Sequence, residues 1–262
     1  MRFLTDHPIV FGVLSFAVLW LATWLGATVL HPRRPLNEAG RADFGVIQAA
    51  TLTLLGLIIG FSFSMATTRY DQRKAYEEEE ANAIGTAYVR ASLLPDADAA
   101  RLRSLLRAYL DQRIAFYTTR EAEQVRSIDA RAAQLQAEMW ATVSAAARAQ
   151  PTPPSALAVA SINDVLNTQG YTQAAWWNRI PLQAWILMAA IAFCSCVLVG
   201  YGTQDARAES FMMPMLPLVV AIAFMLIADI ESPRSGTISV AAQNLEALVP
   251  SLAAPVPGTP AQ

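Results

Sequence analysis

Residues 44–94 read FGVIQAATLTLLGLIIGFSFSMA followed by TTRYDQRKAYEEEEANAIGTAYVRASLL. The first part holds no charged side chain and is long enough to cross a hydrocarbon core as a helix. The second part is charged, has no proline and keeps the 3.6-residue period, so a single helix is expected to leave the membrane and run on. At about 100° per residue, Ala49, Thr53, Gly56, Gly60, Ser64, Thr67, Asp71, Lys74, Glu78, Asn82 and Gly85 fall within one sector roughly 80° wide. That stripe is small inside the membrane and polar outside it. Such a face either packs closely against a neighbouring helix or lines a water-filled path.

The rest of the chain agrees with a membrane setting. Its 262 residues are 54% hydrophobic and 15% charged, with a mean hydropathy of +0.33, which is too apolar for an ordinary soluble protein. Four spans are expected, at 8–30, 44–66, 180–201 and 211–228. The first is longer than a signal-peptide core and no A-x-A site follows it, so it is read as retained. The excursion 67–179 carries 13 basic and 13 acidic residues, a balance that does not suit nucleic acid as a partner. The two cysteines, Cys194 and Cys196, sit inside the third span and read as small core residues.

The expected organisation is a first transmembrane hairpin (8–66), a helical extramembrane domain continuous with the second and third spans (67–179), a second hairpin (180–228), a post-membrane segment (229–252) and a disordered tail (253–262). A loop at 31–43, stopped by Pro32 and Pro35, joins the first two spans. Pro95 with Asp96 and Asp98 starts a helix over 96–123, with Leu102, Leu105, Leu106, Leu110, Ile114 and Tyr117 on its apolar side and arginines opposite. Ser127 is expected to cap a helix over 127–149 buried through Ala132, Leu135, Met139, Val143 and Ala146. Another starts near Ser155, carries Leu157, Ile162, Leu166, Ala174 and Trp177 toward the membrane, and meets an interruption at Gly170. Trp176, Trp177 and Arg179 suit an interfacial belt. No segment alternates with period two. The fold class is all-α: a four-span membrane protein with a helical cytoplasmic domain between the second and third spans. Basic residues near the membrane number six on the side of the termini and large domain against four opposite, which places that side in the cytoplasm.

No nucleophile with a base, metal cluster or phosphate-cradling loop is present in the pattern that catalysis requires, so the chain is not read as an enzyme, and no cofactor is expected. His7 and His31 sit at opposite ends of the first span and cannot share a metal. Gly56 and Gly60 form a GxxxG pair, read first as close helix packing and second as a pore constriction. Glu77 to Glu80 read as a solvated collar, since a helix spreads consecutive residues around its circumference. Arg69, Arg73 and Lys74, with Glu78, would form a charged vestibule in an oligomer. Asp229 and Glu231 are weak metal candidates, and pairing with each other, Arg69 or Arg179 is the favoured reading.

The segment Gly56 to Met65, the motif Glu80-Ala81-Asn82-Ala83-Ile84-Gly85-Thr86-Ala87-Tyr88, Leu93-Leu94-Pro95, Asn178-Arg179-Ile180-Pro181 and Asp229 to Gly236 together resemble the bestrophin-like domain family of bacterial membrane proteins. The resemblance implies the plan of bestrophins proper: four spans, both termini cytosolic, a pentamer around one axis, and a pore lined by the second span that passes anions. It implies a homo-oligomer in the bacterial inner membrane, with the lipid bilayer, other copies of itself and small inorganic anions as partners. Thr53, Gly56, Gly60, Ser64 and Thr67 would line the pore or pack, and Ile58, Phe61 or Phe63 would gate it by dewetting. Asp229 with Glu231 would be a reduced acidic cluster. The chain lacks the Ile-Pro-Phe neck triplet and the long acidic run of bestrophins, so calcium gating is not expected. The alternative is a non-conducting membrane scaffold or sensor whose helical domain binds a partner.

Overall fold

The computed structural model describes residues 6–33, 38–203 and 212–253, and all the regular structure among them is helical. We number the helices α1 (Pro8–Leu25), α2 (Glu38–Arg90), α3 (Asp96–Thr118), α4 (Ala122–Ala149), α5 (Pro153–Trp177), α6 (Leu182–Gly202), α7 (Met215–Glu231) and α8 (Gln243–Ala253). They form two compact units. One takes residues 1–70 and 179–239, the other 71–178 and 240–262, and α2 supplies both.

The first unit is built from α1, the first part of α2, α6 and α7. Its core gathers Leu19, Leu55, Trp185, Met188, Phe224 and Ile227 with small residues between them. Close approach of α1 and α6 depends on two glycines. A Cβ on Gly200 would sit 1.9 Å from the Thr23 carbonyl oxygen, and one on Gly26 would sit 2.3 Å from that of Val197. Missing side chains therefore bring two backbones together here. This is the small-residue packing that GxxxG was expected to supply, at a pair of positions on different helices.

α1 also runs further than expected. A π-helical turn, Gly26–Leu30, leads into a last helical turn, His31–Arg33, so the chain passes Pro32 instead of stopping at it. The His31 N–H bonds back to the Gly26 carbonyl, and this wider turn accommodates a ring that has no N–H to offer. Pro35 lies outside the described residues, as do the beginning of the last expected span and the tail from 254 onward. Three stretches, Pro8–Arg33, Gly40–Leu93 and Pro153–Gly202, are long and apolar enough to cross a membrane. α7, at 17 residues, is about 26 Å long, slightly under a typical hydrocarbon core.

In the second unit α3, α4 and α5 pack with the later part of α2 and with α8. The α4 stripe is buried as the periodicity predicts, from Ala132 to Ala146. Three boundaries move. α3 ends at Thr118, whose hydroxyl donates to the Ile114 and Ala115 carbonyls at 3.1 and 3.3 Å and so satisfies the final turn. α4 starts at Ala122, which puts Ser127 inside the helix rather than at its cap. α5 starts at Pro153, where Thr152 and Ser155 form a reciprocal capping box, and it continues through Gly170. Its buried face mixes small and large side chains. Ser155, Ala158, Ser161, Ile162, Val165, Thr172 and Trp176 turn inward, while Leu157 and Trp177 are exposed. The third span is not continuous with α5 either, since Asn178 to Pro181 is extended before α6 begins. Cys196 is buried in the core but Cys194 faces outward.

Candidate functional site

The two sides of α2 do different things. Leu55, Ser62, Ala66, Arg73, Glu77, Glu80, Ile84 and Tyr88 are buried. Their spacings of three, four and seven place them on the side away from the small stripe. Along the stripe, Thr53, Gly56, Gly60 and Ser64 are exposed, as are Asp71, Lys74, Glu78 and Asn82 further on. Nothing approaches within 4 Å of a Cβ built on Gly56 or Gly60. Among the described residues the GxxxG pair therefore packs against no other helix. Thr67 is half-buried, and a Cβ on Gly85 would lie 3.2 Å from the Leu248 side chain of α8.

Chemically the upper stripe is nearly neutral. Thr53 donates its hydroxyl proton to the Ala49 carbonyl at 2.8 Å, and Thr67 donates to that of Phe63 at 3.0 Å. Both hydroxyls thus present lone pairs outward and offer donors there only if they rotate. Phe61 and Phe63 flank the stripe, 62% and 40% exposed. Ile58 points the other way and packs against the core of the first unit.

The expected vestibule separates. Arg69 pairs with Glu231 at 3.2 Å, and Arg73 is buried, its Nε donating to the Ala175 carbonyl at 3.4 Å. Both lie on the core side of α2. Lys74 and Glu78 remain exposed on the stripe.

The acidic pair in the last turn of α7 is likewise committed to structure. Glu231 accepts from the Ile180 N–H at 2.7 Å as well as from Arg69. Asp229 accepts from the Thr237 N–H and hydroxyl, both at 2.7 Å, and from the Ile238 N–H at 3.0 Å. It thereby folds 232–238 back on the helix end, a turn so tight that a Cβ on Gly236 would lie 2.4 Å from the Asp229 carbonyl oxygen. Glu231 engages Arg69, as the pairing reading expected, while Asp229 accepts from the backbone of Thr237 and Ile238 and from the Thr237 hydroxyl. Among the described residues no three His, Cys, Asp or Glu side chains gather as metal ligands.

The expected solvated collar is half wrong. Glu78 and Glu79 are exposed, whereas Glu77 and Glu80 are 1% and 0% exposed. Glu77 receives the Asn244 and Leu245 N–H groups, each at 2.9 Å, and so caps the start of α8 with a negative charge where the helix dipole favours one. Glu80 forms a buried pair with Arg113 and accepts from the Tyr117 hydroxyl at 3.4 Å and the Thr172 hydroxyl at 3.5 Å. Arg113 lies 4.4 Å from the centroid of the Phe116 ring. Sequence reading put the arginines of α3 on its solvent side. Arg113 is the exception, and a signal was available: Arg73, Glu77, Glu80, Ile84 and Tyr88 recur at three- and four-residue steps opposite the small stripe.

Burial raises the ionisation of Tyr109 and Tyr117 well above the ordinary tyrosine value of 10.0, and the Glu80 carboxylate adds to the rise. Burial pulls Arg113 down, but Glu80 outweighs it and keeps the guanidinium charged. An unfolded chain would release the two tyrosine protons first. The corresponding stability is full below pH 10 and falls as pH rises above it. In an alkaline titration the phenolate absorbance of these two residues is therefore expected to grow together with loss of helical circular dichroism. Phenolate signal from both with helicity intact would contradict their burial.

Residues 13–245 match the family model of the Bestrophin-like domain. Two solved structures of a bacterial bestrophin homologue from Klebsiella pneumoniae, each carrying a point mutation, are similar in fold. One superposes with a TM-score of 0.62 at 13% identity over 94% of this chain and 98% of that one. The other gives 0.60 at 14% identity over 92% and 95%. A further structure of the same homologue gives 0.61 at 14% identity, again over 92% and 95%. No curated protein matches the chain.

Proposed function

The chain belongs to the bestrophin-like family, and on that premise we propose that it forms a homo-oligomeric channel for small inorganic anions, with the small face of α2 turned toward the pathway. In this reading α1, the first half of α2, α6 and α7 are four spans of the bacterial inner membrane. The helical part 67–179 and the termini lie in the cytoplasm, and the assembly is a pentamer as in bestrophins proper.

The observation that carries the reading is the uncovered stripe. Among the described residues Thr53, Gly56, Gly60 and Ser64 are exposed, with open space over both glycines, while the opposite side of the same helix holds the core. A span with one small, neutral, unpartnered side suits an axis shared by several copies. Phe63, about 60° from the centre of the stripe, is the candidate for a hydrophobic constriction that gates by dewetting, with Phe61 further round. Arg69 and Arg73 are taken up elsewhere, and Lys74 stands beside Asp71 and Glu78. In this reading no basic ring lines the stretch between Thr53 and Thr67, and the anion assignment comes from the family likeness.

Halide and alkali-cation flux from liposomes holding the purified protein test it. Halide flux is expected, and Ser64→Leu should suppress it by at least about tenfold without lowering thermal stability, because Ser64 is exposed in the protomer. Cation flux alone would overturn the anion assignment. No flux from an oligomeric preparation would overturn the channel and favour the non-conducting scaffold.

A further inference from the structure

A groove of about 510 Å³ runs along the first unit between α1 and α6, with Phe224 of α7 at its floor. Phe11, Leu14, Val18, Ile186 and Phe193 are among its walls, and Ser15 is the sole polar side chain lining it. Its volume falls within the range of small-molecule sites. Its length distinguishes among occupants. From Phe11 to Leu19 is about 12 Å of helix and from Ile186 to Phe193 about 10 Å, against about 15 Å for half a hydrocarbon core. The groove therefore spans one leaflet. A helix from a second copy would cover both.

The groove also has a polar end. It begins three residues inside α1 and four inside α6, beside the helix starts at Pro8 and Leu182. Arg179 stands just before that start of α6. It donates to Asp6 at 2.7 Å, with both side chains about one-third exposed. A guanidinium has five N–H donors, and no other hydrogen bond engages Arg179 among the described residues. Donors of this kind recognise phosphate oxygens.

We propose that the groove is a binding site for one phospholipid, its acyl chain between α1 and α6 and its phosphate at Arg179. The inference rests on α1 and α6 crossing the membrane and is independent of whether the protein conducts. Ala189 and Ala190 form part of the wall and are exposed, so a large side chain there fills the groove without entering the core.

Native mass spectrometry and phosphorus assay of the full-length protein, purified in mild detergent, should find a phospholipid retained by the wild type. Ala190→Trp should reduce retention by at least about tenfold, and Arg179→Gln should weaken it by a smaller factor. If Ala190→Trp does not fold, the wild type still decides. After stripping with excess detergent, its melting temperature should fall and recover on adding dioleoyl phosphatidylglycerol. Neither glycerophosphate nor diacylglycerol alone should restore it. Absence of retained lipid, unchanged retention in a folded Ala190→Trp, recovery with glycerophosphate alone, or dissociation of an oligomer by Ala190→Trp without lipid loss would each overturn the proposal. Halide flux is read separately, so failure here leaves the channel reading standing.

Discussion

Replacing Glu80 by alanine is expected to destabilise the helical unit by roughly 3–5 kcal/mol. The cost lies less in the interaction lost than in what stays behind. Arg113 is 1% exposed and keeps its charge, and without Glu80 it is left with the Phe116 ring as its remaining described contact. Tyr117 and Thr172 lose the acceptor that both of them use. The measurement is thermal unfolding in detergent followed by circular dichroism. A second variant separates charge from packing, since Arg113→Met added to Glu80→Ala removes the unpaired cation and should recover a large part of the loss. An unchanged melting temperature in the single variant would refute the buried pair.

The pair also shows what could be read from the residues alone. α2 as one long helix and the stripe of α4 were legible, because unbroken apolar or amphipathic periodicity over many turns has few competing solutions. The buried acids were not. Glu77 and Glu80 stand in a run of four glutamates, and a run of charge ordinarily signals a solvated face. Whether a given one is buried depends on Asn244 and Arg113, which lie 167 and 33 residues away. The small stripe was visible as a pattern, but its partner was not. Gly56 and Gly60 carried the recognisable motif, while the glycines in contact, Gly26 and Gly200, lie on separate helices with no spacing to mark them. Arg69 and Arg73 were grouped with Lys74 by nearness in sequence, yet helical phase turns them about 140° and 100° away from it.

The same alanine substitution at different glycines should therefore give opposite results. At Gly200 the added methyl would lie 1.9 Å from a backbone oxygen of α1, which no rotamer change relieves. The helices must separate, and the loss is expected at or above the upper end of the ~1–3 kcal/mol typical of overpacking. Gly26→Ala meets the Val197 carbonyl and should behave alike. Gly56→Ala and Gly60→Ala meet nothing in the protomer and should leave its unfolding unchanged or raise it by up to about 1 kcal/mol through helix propensity. Melting curves of the four variants, at a detergent concentration that keeps the protein monomeric, test this. Equal losses at all four positions would mean that Gly56 and Gly60 are packed within the chain after all.

α2 is a single helix of 53 residues, about 80 Å of uninterrupted rod, with Gly60 on one side and Glu80 on the other. Adding or deleting one residue between Arg73 and Glu80 would turn one against the other by about 100°, so the face that buries Arg73 would no longer bury Glu80 beside Arg113. Changes of about seven or eleven residues nearly restore the angle but shift the pairing along the axis by two or three turns. Drift in chain length within this family is accordingly expected to accumulate in the connections between helices and to spare α2, so its residue count should be as strongly retained as any side chain it carries.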